Sequence, residues 1–277
     1  MIPKELPLTK FEKKLSQKNG IVEEGVIQHI FEVIAPTHKF AVEFGAGNGV
    51  DHTFVRKLIE KGWRGLLIEG GDRLGAELLS NYKDHPKVCA IKSFVTAENI
   101  EELFAQGNVP KDFDFLLIDI DGIDYWVWKA ITNYRPKVIC IEYNASFGAD
   151  VDFTVDYSPV FDWQKDDYMG ASFSLLCKLA KEKGYELIHC TSVGDNLIFV
   201  AKEFADKFER LPHVSDYYQI PQYGKYGRAI NGKGHPASKR NTTSAQRVLY
   251  KMRYYLMALP RKAVVSFGKM KGRQFKP

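Results

Sequence analysis

The stretch from Lys39 to Asp51 constrains the fold more than any other part of the 277-residue chain. A short apolar run ends there in Glu43. Three glycines follow at alternate positions: Gly45, Gly47 and Gly49. Glycine is needed where the backbone takes a positive φ or lies against a ligand. The residues beyond have helical spacing, with Asp51 as the predicted N-cap. The stretch therefore predicts a strand, a tight turn beside a ligand, and a helix.

A second acid, Glu69, follows the next apolar run of the sequence. The next apolar run ends in Glu69, twenty residues beyond Gly49, and so predicts a carboxylate at the end of the neighbouring parallel strand. An acid at that place binds a ribose. A dinucleotide fingerprint would have its third glycine at Val50 and would lack an acid two residues before the first glycine. An NAD-linked oxidoreductase is therefore the weaker hypothesis.

The series Glu43-x-Gly45-x-Gly47-x-Gly49 resembles motif I of the class I S-adenosylmethionine (SAM) methyltransferases. The resemblance implies SAM as cofactor, with Glu43 near its amino group and the glycines beneath its methionine and ribose parts. It also implies Glu69 as the ribose ligand. Two further residues are assigned to the cofactor at strand ends, Ser93 near the adenine and Asp119 after the fourth strand.

Apolar runs and helical segments alternate along residues 21–203 and predict an α/β protein. The predicted elements include a helix over Asp51–Lys61, a fourth strand over Phe113–Asp121 and a last pair of strands joined by a short turn. That turn permits only an antiparallel hairpin. We expect a Rossmann-like class I methyltransferase fold, a mostly parallel seven-stranded sheet with a terminal antiparallel hairpin and helices on both faces. The expected parts are a helical arm (1–38), the SAM-binding domain (39–204) and a basic C-terminal segment (205–277).

Acidic and amide side chains follow the predicted fourth and fifth strands. Alternation places Asp119 and Asp121 on one face of the fourth strand, and Glu142 and Asn144 on one face of the fifth. Oxygen ligands on neighbouring strand ends suit Mg²⁺ or Mn²⁺, so Asp121, Glu142 and Asn144 are the predicted metal ligands. Two alternatives stay open. Asp121 or Glu142 acts without a metal as general base or substrate anchor, or the acids form a structural hydrogen-bond network.

The run Ile118–Trp128, together with Val138–Asn144, resembles bacterial methyltransferases allied to the FkbM type. The resemblance implies an acceptor hydroxyl on a sugar or glycan. The segment 145–170 has no evident regular element and interleaves six aromatic with six aspartate side chains. Aromatic faces and carboxylates suit a polyol, so we predict a substrate lid. The alternative is that the aromatic side chains pack on the sheet while the acids face water.

Charge divides the chain into an acidic body and a basic end. Residues 224–277 hold fourteen Lys and Arg and no acid, while residues 1–223 hold 25 basic and 34 acidic side chains. The apolar positions of 243–259 share one helical face, which predicts contact of residues 243–273 with an anionic membrane surface. Nucleic acid is a less favoured partner. Docking on the domain or on a second copy, as a homo-oligomer, is a further alternative.

Several expectations complete the sequence-based hypothesis. The first residues lack the apolar region of a signal peptide and no run is long enough to span a bilayer, so we expect a cytoplasmic protein, peripheral at the inner face of the membrane. The four cysteines lack Cys-x-x-Cys spacing and are expected to be buried thiols rather than zinc ligands or a disulfide set. The expected function is SAM-dependent O-methylation of a sugar or glycan hydroxyl. The alternative is a non-catalytic binding protein of the same fold that attaches to a membrane or RNA through its basic end.

Overall fold

The computed structural model describes residues 5–12, 23–51, 53, 55–163 and 168–219. The helices are α1 (Glu23–Val33), α2 (Val55–Glu60), α3 (Asp72–Tyr82), α4 (Ile100–Gln106), α5 (Asp124–Ala130) and α6 (Phe173–Glu182). The strands are β1 (Phe40–Phe44), β2 (Arg64–Glu69), β3 (Val88–Lys92), β4 (Phe115–Ile118), β5 (Val138–Glu142), β6 (Tyr185–Cys190) and β7 (Asn196–Ala201). The four cysteines are free thiols; Cys140 and Cys190 are buried, as predicted, whereas Cys89 and Cys177 are only partly buried.

The seven strands form one sheet in the order β3-β2-β1-β4-β5-β7-β6. Strands β1 to β5 pair in parallel, and β7 is antiparallel to both of its neighbours, β5 and β6. The predicted Rossmann-like architecture, a mostly parallel seven-stranded sheet with a terminal antiparallel hairpin, is therefore confirmed. The strand order reverses between β1 and β4, and ligands bind at such a switch point outside the carboxyl ends of the strands.

The sequence of the central strand β4 is apolar without alternation because both faces of the strand are buried. All four of its residues are buried. Leu116 and Ile118 belong to one apolar cluster, whereas Phe115 and Leu117 belong to the cluster on the other face of the sheet. A strand covered on both faces needs apolar side chains throughout. Full burial of each such side chain stabilises the fold by about 1.5–3 kcal/mol.

Two predicted element boundaries on the site side of the sheet are wrong. Helix α2 begins at Val55 rather than Asp51, because the Asn48 Oδ1 accepts hydrogen bonds from the amides of Val50 (3.0 Å) and Asp51 (2.9 Å) and extends the turn. The Asp51 carboxylate accepts a hydrogen bond from the Asn48 side chain. Strand β4 ends at Ile118 rather than Asp121, because the chain turns and Asp121 has a φ of 56°.

Both ends of the described chain pack on the sheet domain. In the expected N-terminal arm, a 3-10 turn spans Thr9–Phe11 ahead of α1, and Leu6 and Leu8 are buried in the core. Beyond the expected boundary at residue 204, the chain returns to the end of β5. There the Tyr143 hydroxyl donates a hydrogen bond to the Gln219 carbonyl, and the Tyr218 hydroxyl donates one to the Ala145 carbonyl, both at 2.8 Å.

The predicted basic helix and membrane contact (243–273) lie outside the described residues. Within the described ranges, each helix is too short or too polar to cross a bilayer.

Candidate active site

The three glycines of the turn after β1 serve different purposes. Each has a positive φ, of 73° at Gly45, 55° at Gly47 and 72° at Gly49. A Cβ on Gly45 would lie 1.8 Å from the Asp119 carbonyl oxygen, and one on Gly49 would lie 2.5 Å from the Tyr82 ring. A Cβ on Gly47 would have no neighbour within 4 Å. Packing therefore requires two of the glycines, and the middle one faces open space beside the sheet edge.

Glu69 lies against this turn, as predicted. Its Oε2 accepts a hydrogen bond from the Gly47 amide at 2.9 Å, and its Oε1 accepts one from the Gly71 amide at 2.7 Å. The Ser93 amide donates to the Glu69 carbonyl at 3.0 Å, which brings the end of β3 to the same place. Each carboxylate oxygen has a second lone pair. An acceptor for a ribose hydroxyl is thus available beside the open glycine, which fits the cofactor that the sequence predicted.

Glu43 is buried, with 2% of its surface exposed. Burial raises the pKa of its carboxyl to about 8, although a hydrogen bond donated by the Thr53 hydroxyl opposes the shift. A positive charge close to the carboxylate would restore its ionised form. The residue is therefore suited to a cationic ligand group, such as the amino group with which the sequence paired it.

Sequence reasoning missed Phe94, which directly follows Ser93. Its ring is 72% exposed, an unusual exposure for a phenylalanine, and it packs beside Gly70 at the end of β2. A Cβ on Gly70 would lie 2.4 Å from this ring. Exposed aromatic faces stack on nucleobases. The signal available in the sequence was a large aromatic residue one position beyond the predicted adenine contact.

Three carboxylates meet at the carboxyl ends of β4 and β5. Oxygen atoms of Asp119, Asp121 and Glu142 all lie within 4.8 Å of one another. Asp119 and Asp121 are accessible to solvent and Glu142 is partly so, although protein atoms surround all three closely. We call these three residues the acid triad. Its donor set consists of hard oxygen ligands, which suits Mg²⁺ or Mn²⁺.

The triad's electrostatics favour the uptake of a positive charge. Desolvation and the charges of Asp124 and Glu69 raise the pKa of Asp121 to about 6. Desolvation, followed by the charges of neighbouring carboxylates, raises the pKa values of Asp119 and Glu142 well above their ordinary values. Such a cluster binds protons at neutral pH or exchanges them for a cation.

Asn144, the third predicted metal ligand, contacts the chain near α6. Its amide nitrogen donates a hydrogen bond to the Met169 carbonyl at 3.0 Å, and its backbone amide donates to the Ala171 carbonyl at 2.7 Å. These bonds fasten the end of the predicted lid to the end of β5. The role of Asn144 as a metal ligand stays a prediction.

The described part of the predicted lid contacts the segment before α4 and helix α5. The Tyr157 hydroxyl donates a hydrogen bond to Glu98 before α4 and accepts one from the Ala97 amide at 3.1 Å. At α5, the Trp126 indole donates to the Val155 carbonyl at 2.8 Å. Within the segment, Phe147 and Phe153 stack with their ring centroids 3.9 Å apart.

The aromatic rings of this segment thus pack on one another and on the domain, which was the alternative interpretation of their pattern. The Phe161 ring also lies against Gly122, directly beside the acid triad. Several acids of the segment stay at the surface, including Asp150, Asp156 and Asp162. The segment therefore forms a packed wall beside the space between the glycine turn and the acid triad, which we call the cleft. The three aspartates just named are exposed to solvent.

No protein-family profile and no curated protein sequence matches the chain. Among solved structures, it is similar to the N-terminal domain of EvdMO1 with SAH and D-fucose (15% identity over 64% of this chain and 81% of that one, TM-score 0.42). It is also similar to an O-methyltransferase from Bacillus cereus in complex with SAH (16% identity, 65% and 80%, TM-score 0.42). The methyltransferase domain of a bacterial Hen1 is a third (12% identity, 68% and 100%, TM-score 0.38). The reaction that this chain can catalyse follows from its fold and from the side chains of its cleft.

Proposed function

We propose that this protein is a SAM-dependent O-methyltransferase that acts on a hydroxyl of a sugar or glycan. The acid triad beside the glycine turn is the observation that supports this most. Gly45 packs so closely on the Asp119 carbonyl that no side chain fits between them. A cofactor on the glycine turn and an acceptor hydroxyl at the triad would therefore be neighbours. SAM supplies an electrophilic methyl group, and the chain's task is to align an oxygen with it.

The triad removes the acceptor proton in one of two ways. Asp121 or Glu142 accepts it directly, since a carboxyl whose pKa is raised toward neutrality is a better-matched base than an ordinary one. The other way uses a divalent cation held by the triad, which would lower the pKa of a hydroxyl that it contacts. We favour the cation because three close carboxylates are costly to keep charged without one.

A sugar acceptor is supported by the chemistry around the triad. Carboxylates accept hydrogen bonds from hydroxyl groups, and the Phe161 ring beside Gly122 adds an aromatic surface next to the triad. The resemblance of Ile118–Trp128 to glycan methyltransferases points the same way. A phosphorylated group at the methylated position would meet carboxylates, which disfavour it.

Calorimetry with SAM and with its demethylated product tests the cofactor, and transfer of a labelled methyl group to fractionated cell glycans, small metabolites and RNA tests the acceptor. We expect both cofactor forms to bind and the label to enter the glycan fraction. Folded protein that binds neither form would support the rival hypothesis of a non-catalytic binding protein. Label in RNA alone would contradict the sugar acceptor.

The replacement Glu69→Ala is expected to weaken SAM binding by about 1.5–3 kcal/mol, because a charge-assisted hydrogen bond to the ribose is lost. Glu69 also accepts from the Gly47 amide, so Glu69→Gln, which keeps one oxygen acceptor, should lose less. Calorimetry of both variants measures the difference. An unchanged affinity in folded Glu69→Ala protein would show that another residue binds the ribose.

For the basic end we propose peripheral attachment to anionic membrane. Deleting residues 224–277 should leave SAM binding intact and abolish sedimentation with anionic vesicles. For the full chain, sedimentation should weaken as salt rises, because exposed charges are screened over about 8 Å at physiological ionic strength. Neutral vesicles are the control. Binding of the full chain to RNA but not to vesicles, or loss of SAM binding on truncation, would contradict the proposal.

A further inference from the structure

The turn that carries two members of the acid triad is held by a buried carboxylate. Asp124 is the first residue of α5 and is 1% exposed. Its Oδ1 accepts a hydrogen bond from the Ile120 amide and its Oδ2 accepts one from the Gly122 amide, both at 2.9 Å. The two bonds flank Asp121 on either side. Both oxygens of Asp124 are thus engaged with the backbone of the turn.

Asp121 needs such support because of its backbone conformation. Its φ of 56° lies in the left-handed region, which is uncommon for a residue with a side chain. A turn in this region persists when its surroundings hold it there. Strand β4 has already ended at Ile118, so pairing with neighbouring strands does not fix the position of Asp121.

We infer that Asp124 is a positioning residue, which holds the turn 119–122 so that the Asp119 and Asp121 carboxylates meet Glu142 in a cation-binding arrangement. The inference rests on the proposed function, since it assigns the support of that same site. Asp124 acts through the turn and not through contact with acceptor or cofactor. The same turn contacts the Phe161 ring at Gly122, so Asp124 also fixes the surface on which the wall of the cleft packs.

The experiment measures Mn²⁺ binding to the full chain by electron paramagnetic resonance, with Asp124→Asn and Asp124→Glu as variants. Asn keeps the shape but only one oxygen acceptor, and Glu keeps the charge but displaces it by one methylene group. We expect both to bind Mn²⁺ about 10- to 100-fold more weakly than the unmodified chain, the usual effect of losing a residue that orients metal ligands. Circular dichroism and urea unfolding report whether the variants are folded.

Asp114 provides a matched control at the opposite end of β4. It too is fully buried, and its carboxylate accepts hydrogen bonds from the amides of Thr37 (2.6 Å), His38 (2.9 Å) and Phe40 (3.2 Å). Asp114→Asn removes a buried carboxylate that likewise holds backbone amides, and that also pairs with Lys137 at 3.4 Å, at the other end of β4 from the triad. It should leave Mn²⁺ affinity unchanged.

Three results would overturn the inference. The first is unchanged Mn²⁺ affinity in both variants. The second is full affinity in Asp124→Glu, because the effect would then come from charge alone. The third is no Mn²⁺ binding by the unmodified chain. A separate measurement, of hydrogen exchange, needs no substitution. The amide protons of Ile120 and Gly122 should exchange slowly with solvent, and fast exchange would also overturn the inference. Failure of the unmodified chain to bind SAM would instead defeat the proposed function and leave the Mn²⁺ result to decide the role of Asp124.

Discussion

Gly45→Ala is expected to prevent the sheet domain from folding stably. The new methyl group would lie 1.8 Å from the Asp119 carbonyl oxygen, far inside van der Waals contact, and the backbone φ of 73° disfavours alanine as well. Relief would require β1 and β4 to separate at their carboxyl ends, where both strands are buried. We expect a loss of about 4 kcal/mol or more, in the range of severe core overpacking and backbone strain. Urea unfolding followed by circular dichroism measures it.

Gly47→Ala is the matched control for this prediction. Its φ of 55° imposes a similar conformational cost, about 1–2 kcal/mol, but its methyl group meets no protein atom. This variant should fold, and it should bind SAM about tenfold more weakly or worse, because the methyl group occupies space that we assign to the cofactor. Equal unfolding midpoints for the two variants would contradict the packing argument. Unchanged SAM affinity in Gly47→Ala would contradict the placement of the cofactor.

The second large effect is expected at the acid triad. Asp121→Asn and Glu142→Gln keep the shape of each side chain and remove its charge. Each substitution should lower turnover by about 10²- to 10⁴-fold, which is the usual contribution of a positioned general base. SAM affinity should change by less than about threefold, since the glycine turn and Glu69 are untouched. Turnover near that of the unmodified chain in both variants would remove the triad from the reaction.

Chelation and pH distinguish the two routes of proton removal. If a cation is used, a chelator should abolish turnover, and Mg²⁺ or Mn²⁺ should restore it. Cation affinity should fall as the pH is lowered, and should still be falling at about pH 6, because protonation of Asp119, Glu142 and Asp121 competes with the cation. Full turnover in chelator would leave a direct carboxylate base. In that case turnover should fall below about pH 6 if Asp121 is the base, because the protonated carboxyl cannot accept a proton. The fall would come at a different pH if Glu142 is the base, since the pKa of its carboxyl is raised well above the ordinary value.

The sequence predicted those features that depend on local pattern. Strand β1 (Phe40–Phe44) lies in the stretch that predicted a strand before the glycine turn, and the positive φ of Gly45 ends it. Glu69 lies at the turn because two parallel strands with a connecting helix bring their carboxyl ends together. These relations follow from the spacing of acids and glycines along one continuous stretch of chain.

Features that depend on contacts between distant segments were not predictable in this way. Alternation along β4 placed Asp119 and Asp121 together, but the strand ends earlier, and a turn held by Asp124 brings them together instead. The lid pattern did not reveal that Tyr157 binds Glu98 or that Phe161 packs on Gly122. Each of these contacts joins residues whose separation in sequence carries no periodic signal.

The return of the chain to the end of β5 affects whatever the basic segment binds. Gln219 and Tyr218 are fastened to Tyr143 and Ala145, next to Glu142 of the acid triad. Twenty-three residues separate Gln219 from residue 243, where the predicted membrane contact begins, and a chain of that length spans at most about 80 Å. A tether between two binding sites raises the local concentration of a bound partner above its bulk value. A hydroxyl carried on the surface that the basic segment binds would therefore be presented to the cleft at far above its concentration in bulk solution.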